Sequence, residues 1–347
     1  MYEPGQPYGG FNPQSYDVNG IYGYERRKNE LFIRKKNEKK QLRKLSSLAG
    51  GAFLCYILIQ NVLVLVLEPF GVMDLYRSNP TVATCMDTLF SVVSILVPFL
   101  FFGSQMKKLS RNENCYNFSA PYSKGDLLVA IAAGVGMCMF ANVITSYFTV
   151  FMGVFGLKLT SPDISMPEGV AGVAVNIIRT VIVAAFVEEI SLRGAVMGNL
   201  RQYGDRFAIM ASAVVFGIMH GNLIQAPFAL IAGFVMGYLS IKCGTLWVAV
   251  AIHAINNGMS ILISYVTESM DKNTSVLFQL AIIYGLSVVG IICLVLFNKR
   301  NAHRPLMQNT TSLSPGEMAK AYITTPTMLI SLLFMFYITS NYVEFGG

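Results

Sequence analysis

Long apolar stretches recur along this chain, and their length constrains the fold more than any other feature. A helix that crosses roughly 30 Å of hydrocarbon needs about 17 to 25 apolar residues. We interpret nine stretches as candidate spans, of which only the fourth contains a charged residue, Arg179. They cover residues 48–67, 88–106, 127–157, 169–187, 207–219, 223–241, 246–266, 276–298 and 324–342.

The composition agrees with that interpretation. Hydrophobic residues make up 54% of the 347 residues and charged residues only 13%, and the mean hydropathy is +0.52. Such a chain is too apolar for a soluble protein and uses the lipid bilayer as part of its solvent. Since unpaired backbone amides are costly in lipid, the spans must be helices. The sequence predicts an all-α fold, a polytopic integral membrane bundle of about eight to nine transmembrane helices.

The basic residues predict the orientation of these helices. If the N-terminus is cytoplasmic and each stretch crosses once, most of the 26 Lys and Arg residues fall in cytoplasmic segments. The opposite segments then hold only Arg77, Lys158 and Lys272. This asymmetry is the one that the positive-inside rule requires. The net charge of +7 therefore indicates membrane topology and not a nucleic-acid partner.

The first 24 residues lack Lys and Arg and are rich in Pro, Gly, Asn and Tyr, which predicts a disordered cytoplasmic tail. The next segment, residues 26–44, contains ten basic residues. Such a cluster either lies on anionic lipid or, as we favour, anchors the topology of the first span. The six cysteines are scattered without CxxC spacing, so the sequence indicates neither a disulfide framework nor a zinc ribbon.

Ionisable residues interrupt the apolar stretches in the middle third of the chain. They lie in FVEEISLRGA (186–195), VVFGIMHGN (214–222) and AVAIHAINNGM (249–259). An ionisable side chain inside a membrane is costly enough that a functional role is its first interpretation. The alternative for a lone histidine is a structural role, in which it forms a hydrogen bond to a neighbouring helix.

Helical spacing assigns different roles to neighbouring residues. Glu189 and Arg193 are four apart and share one helix face, so we expect them to pair as structural support. This pairing leaves Glu188, which points about 100° away, free to face a different partner. His253 and Asn257 share a face by the same spacing.

The depth of these residues in the membrane is the next test. Glu188 lies 16 residues before an expected turn at Gly204, and His220 lies 16 residues after it. Both are then about 24 Å from the turn along their helices. An antiparallel hairpin therefore brings Glu188 and His220 to the same depth in the membrane. His253 lies only nine residues beyond an expected turn at Gly244. Straight helices would leave it about 10 Å shallower, so tilt, a kink or a deeper turn is required.

Three motifs in this order resemble the CPBP family of intramembrane proteases, which contains the type II CAAX prenyl endopeptidases and bacterial Abi-type proteins. They are EExxxR (residues 188–193), FxxxH (216–220) and HxxxN (253–257). The resemblance covers about residues 165 to 265. Leu192 stands where many relatives carry an aromatic residue, a departure that affects packing more than chemistry.

With the resemblance, the chain divides into four parts. We expect a disordered and then basic cytoplasmic tail (1–45), N-terminal transmembrane helices (46–165), a catalytic CPBP/Abi core of four transmembrane helices (166–265) and C-terminal transmembrane helices (266–347). We expect an integral plasma membrane protein of a bacterium, with its active site open to the cytoplasm. The sequence does not indicate an oligomeric state.

The residues suit hydrolysis of a peptide bond. Glu188 and His220 can activate a water molecule, while His253 and Asn257 donate hydrogen bonds to the developing oxyanion. The family resemblance implies the same division of roles. A metal-based alternative uses Glu188, His220 and His253 as ligands of Zn²⁺. We favour the glutamate mechanism without a cofactor.

Three hypotheses of function follow. The first is an intramembrane endopeptidase acting on a membrane-associated or lipid-modified peptide, such as a prenylated protein or a bacteriocin precursor. The second is a non-proteolytic scaffold or bacteriocin self-immunity protein of the same family. The third, a transporter, is disfavoured because no inverted repeat of the charged motifs is present. Arg179 lies nine residues before Glu188, on the opposite face of an ideal helix, so we expect it to pack or to line a water cavity.

Overall fold

The computed structural model of the protein describes residues 18–110, 114–162, 169–309 and 311–346, with side chains from Tyr24 onward. Eleven helices and one two-stranded sheet make up these ranges. The helices are α1 (Val18–Leu67), α2 (Val72–Ser78), α3 (Pro80–Ser110), α4 (Lys124–Val154), α5 (Gly169–Tyr203), α6 (Asp205–Met219), α7 (Ala226–Cys243), α8 (Trp247–Glu268), α9 (Lys272–Arg300), α10 (Pro315–Ile323) and α11 (Pro326–Ser340). The strands are β1 (Leu157–Leu159) and β2 (Val343–Phe345).

The predicted polytopic helical bundle is confirmed. In the described ranges, seven helices are long and apolar enough to cross a membrane, or eight if the bent pair α10–α11 is one span. Two of the nine predicted stretches account for the lower number. The stretch at 207–219 forms α6, which has only 15 residues. The stretch at 324–342 forms α11, also 15 residues long and bent by 74° from α10.

Local signals in the sequence explain where several helices begin. Asn79, Ser123 and Asp271 each cap a helix by accepting hydrogen bonds from its first free backbone N–H groups. Ser314 and Glu317 form a capping box at the start of α10. These polar residues come directly before or after apolar stretches, so they fix the helix ends next to the spans.

The N-terminal region is more ordered than the sequence predicted. Residues 18–24, predicted to be disordered, begin α1, while residues 1–17 of the predicted tail lie outside the described ranges. The basic segment 26–44 continues the same helix into the first span. Leu42 of this segment and Leu45 directly after it are fully buried, and Arg43 donates a hydrogen bond to Thr324. The segment therefore packs against the rest of the bundle.

Close helix contacts depend on glycine at two places. A Cβ added to Gly136 of α4 would lie 2.4 Å from the Gly290 Cα of α9, so only glycine allows these helices to approach so closely. Gly233 and Gly237 of α7 face side chains of α6 and α5, Phe216 and Met197 among them. The GxxxG spacing of α7 therefore serves packing inside the bundle.

The bundle has two distinct ends. One, the sheet end, contains the antiparallel pair β1–β2, in which Lys158 lies opposite Glu344. It also contains the beginnings of α3, α5 and α9 and the ends of α4 and α8. The other, the basic end, contains the beginnings of α4 and α8 and the ends of α5, α7 and α9. Arg300 and Asp126, which form an ion pair at 3.1 Å, lie there.

Candidate active site

Helix α5 carries the two glutamates of the first motif at the end of a short α-helical segment and Arg193 on the π-helical segment that follows. The α-helical segment is Ala184–Glu189, and the π-helical segments are Ile178–Val183 and Ile190–Met197. π-Helical turns are rare and concentrate at functional sites. They also change which face of the helix each later residue occupies.

Glu189 lies at the centre of a buried charge cluster. One of its carboxylate oxygens, Oε1, lies 3.0 Å from Arg193 Nη1, the pairing expected from the spacing. The same oxygen accepts a hydrogen bond from His253 Nδ1 at 3.0 Å, a contact that the sequence did not predict. Glu189 and Arg193 are both fully buried. Glu189 therefore connects the first motif with the third and holds the His253 ring in place.

His220 is positioned by the end of α6. Gly221, with a φ of 66°, adopts a left-handed conformation that ends the helix directly after His220. The His220 Nδ1 lies 2.8 Å from the backbone carbonyl oxygen of Phe216. A carbonyl only accepts, so Nδ1 carries the proton and Nε2 of the neutral ring is a free acceptor. In that tautomer, His220 can act as a general base.

A small cavity brings the four candidate catalytic residues together. Its volume is about 110 Å³, and it is lined by Glu188, His220, His253 and Asn257, with Asn256 beside them. The His253 Nε2 lies 3.8 Å from Glu188 Oε2, too far for a direct hydrogen bond. A cavity of this size and polarity can hold water between these groups.

Glu188 differs from its neighbour in its exposure and in lining the small cavity. Like the Oε2 of Glu189, its buried Oε2 has no hydrogen-bond partner among the described residues. The side chain keeps 21% of its surface exposed, whereas Glu189 keeps none. Because an unpaired buried carboxylate oxygen is costly, a water molecule or a substrate group is its natural partner. The spacing argument separated these two glutamates in the same way.

The amides of the third motif occupy the cavity wall together. Asn257 donates one amide hydrogen to the backbone carbonyl of Thr180 at 2.8 Å, which fixes its orientation. Asn256 is buried, and its side-chain amide nitrogen lies 3.3 Å from the Asn257 Oδ1. Each amide nitrogen carries two hydrogens, so donors remain for an oxyanion.

Phe216 has a role that the sequence did not reveal. Its ring lies under the Arg193 guanidinium, 4.3 Å from the ring centroid, and contacts the rings of His220 and His253 edge to face. The ring thus separates the buried cation from the two imidazoles and supports all three. The FxxxH spacing was the available signal, since it places Phe216 one turn below His220.

The zinc alternative would use Glu188, His220 and His253, which line one cavity. Among the residues that the structure describes, no group of three His, Cys, Asp or Glu side chains is arranged as a metal site. The choice between the glutamate mechanism and the zinc mechanism stays a prediction.

Two larger cavities adjoin the site. One of about 500 Å³ begins at His220 and Asn257 and extends along α8 to Ser264 and Thr267. The other, of about 390 Å³, begins at Glu188 and extends along the first half of α5. Both run towards the sheet end of the bundle. The sequence placed the opening at the cytoplasmic side, and this orientation stays a prediction.

Comparison with known proteins gives one match. Residues 170–259 match the family model described as type II CAAX prenyl endopeptidase Rce1-like. The match covers about a quarter of the chain, and over this segment the chain is similar to the type II CAAX prenyl endopeptidases. The resemblance predicted from the three motifs is confirmed for this segment. No curated protein and no solved structure matches the chain.

The family match coincides with the site. It begins in α5 and ends in α8, so it contains all three motifs and lies within the predicted core of residues 166–265. The helices before α5 and after α8 are outside the match. They contribute to the cavities nonetheless, for example through Ser91 of α3 and Gln279 of α9.

Proposed function

We propose that this protein hydrolyses a peptide bond of a membrane-associated substrate, with Glu188 and His220 activating the attacking water. One observation carries the proposal. The buried, unpartnered Glu188 Oε2 faces a cavity of about 110 Å³ that also contains His220, His253 and Asn257. Carboxylate, imidazole and amide groups around a cavity that can hold water are the groups that water-mediated peptide hydrolysis needs.

The groups suggest the following order of events. Water attacks the carbonyl carbon while Glu188 or the free Nε2 of His220 takes one of its protons. His253 and Asn257 donate hydrogen bonds to the oxyanion that forms. The same proton then passes to the leaving amine as the carbon–nitrogen bond breaks, and a free carboxylate and an amine result. Glu189 and Arg193 keep His253 in place and do not touch the reacting atoms.

We expect cleavage to be insensitive to metal chelators. In the proposed mechanism the proton-accepting groups are side chains, so no metal-bound water is required. The measurement is the cleavage rate of purified protein before and after treatment with 1,10-phenanthroline and dialysis. Loss of activity that added Zn²⁺ restores would contradict the metal-free mechanism.

The charge distribution and the direction of the cavities support one orientation of the site. We propose that the basic end faces the cytoplasm, as the positive-inside rule requires, so that the cavities open towards the opposite face. A membrane-impermeant maleimide added to intact cells should label cysteines at Ser269 and at the cavity position Ser264. A cysteine at Lys124 should react only after permeabilisation. The reverse pattern would contradict this orientation and restore a cytoplasmic opening.

The substrate is a peptide or protein that reaches the site from the bilayer. A prenylated protein and a bacteriocin precursor are the two candidates that the family suggests, and a bacterial host favours the second. A comparison of membrane peptidomes from cells with the wild-type chain and with Glu188→Gln should identify peptides whose cleavage needs Glu188. Identical peptidomes, together with unchanged cellular function, would favour the scaffold or immunity role instead.

A further inference from the structure

Arg179 lies in a different environment from the one its sequence position suggests. It was expected on the face of α5 opposite Glu188, because nine residues at about 100° each amount to two and a half turns. In the structure both residues line the cavity of about 390 Å³. The π-helical segment Ile178–Val183 contains Arg179 and ends before Glu188. Since a π-helical turn holds more residues than an α-helical one, it shifts the phase of the helix and brings Arg179 to the Glu188 side.

The guanidinium group has room to bind a ligand. Its side chain is 23% exposed, and its ion-pair partner Asp87 of α3 lies 3.6 Å away, beyond ordinary hydrogen-bond distance. Asp87 also accepts a hydrogen bond from the Tyr76 hydroxyl at 3.0 Å. A guanidinium has five donors in a planar fork that fits a carboxylate. Asp87 therefore keeps the cation in the cavity without occupying all of its donors.

The cavity around Arg179 suits an extended peptide. Its volume of about 390 Å³ falls within the usual range for ligand sites. Asn176 and Thr180 add polar side chains on α5, while Val183 and Val187 are apolar. Nine residues of helix separate Arg179 from Glu188 by about 13 Å along the axis. An extended peptide covers that distance with about four residues.

We propose that Arg179 binds a carboxylate of the substrate, about three to four residues from the bond that is cleaved, and so determines specificity. The carboxylate is either the terminal carboxylate of the substrate chain or an acidic side chain. The proposal rests on the proposed protease function. The cavity is lined by Glu188 and not by His220, so it extends from one side of the small cavity and has room for one end of the substrate.

A purely structural role for Arg179 makes a different prediction. If the residue only joins α3 to α5, removing either partner of the ion pair should have the same effect. If Arg179 binds substrate, replacing Arg179 and replacing Asp87 should change substrate binding in opposite directions. Arg179→Gln then removes the ligand for the carboxylate, while Asp87→Asn frees the guanidinium to bind it.

The test uses the purified full-length chain and quenched-fluorescence peptides. The peptides carry a cleaved sequence from the peptidome comparison in three forms: the free acid, the C-terminal amide, and a form with Asp and Glu replaced by Asn and Gln. We expect wild type to cleave the carboxylate form at least tenfold more efficiently than the form that lacks that carboxylate, mainly through a lower KM. Whichever replacement removes the preference identifies the source of the carboxylate.

The variants then assign the preference to Arg179. The compared quantity is the cleavage efficiency of the carboxylate form divided by that of the form without the carboxylate. This ratio should fall to about one in Arg179→Gln and recover in part in Arg179→Lys. In Asp87→Asn it should persist or rise. The inference is overturned if wild type shows no preference. It is also overturned if Arg179→Gln keeps the preference, or if Arg179→Gln and Asp87→Asn lose activity and thermal stability alike. A different result would contradict the proposed protease function itself. In that case Glu188→Gln would cleave the peptides as fast as wild type.

Discussion

Replacing Glu188 by Gln should lower kcat for peptide cleavage by about 10²- to 10⁴-fold, the range that one general acid–base group contributes. Gln has nearly the same shape as Glu but cannot take a proton from water. Because the cavity keeps its size and the substrate still fits, KM should change little. The measurement is steady-state cleavage of a reporter peptide by purified protein, with folding checked by its thermal unfolding midpoint.

A matched control separates this effect from a general loss of charge. Glu268 lies exposed at the end of α8, away from the small cavity, and Glu268→Gln makes the same chemical change there. This variant should cleave at the wild-type rate. A Glu188→Gln variant that is folded and as active as the Glu268→Gln control would show that Glu188 does not activate the water.

Replacing Arg193 by Met should lower stability by about 3 to 5 kcal/mol, the usual cost of breaking a buried ion pair from one side. The change leaves the fully buried Glu189 with His253 as its remaining partner. It also removes the cation that lies over Phe216. The measurement is the unfolding midpoint in detergent, which should fall by several degrees.

The exposed ion pair at the sheet end provides the control. Arg77 lies 3.0 Å from Glu68, and both side chains are about half exposed. Exposed ion pairs contribute little because solvent screens them, so Arg77→Met should leave the midpoint almost unchanged. Equal midpoints for Arg193→Met and Arg77→Met would contradict a structural role for the buried cluster.

Simple helix geometry predicted part of the site. Glu188 and His220 are the same number of residues from Gly204, which predicted that they lie at the same depth in the membrane. Both line the small cavity. His253 was expected about 10 Å shallower, yet it contacts Glu189. Glu189 lies 14 residues before the end of α5, whereas His253 lies only six residues after Trp247 begins α8. The two helices therefore do not run as straight, parallel α-helices from turns at equal depth.

Other features could not be predicted because they depend on departures from an ideal helix or on tertiary contacts. No local signal in the sequence marks the two π-helical segments of α5, and one of them places Arg179 in the cavity with Glu188. Contacts between helices distant in sequence give Glu189 its second partner and hold Asn257 against the Thr180 carbonyl. Periodicity along one helix does not contain this information.

The direct test of cooperation between the two water-activating residues is a double-mutant cycle. Cleavage rates are measured for Glu188→Gln, His220→Gln and the combined variant. If both side chains act on one water molecule, the combined variant should be about as slow as the slower single variant, because residues that act as a unit have non-additive effects. A combined loss equal to the product of the two single losses would show that Glu188 and His220 act independently, and would contradict the proposed site.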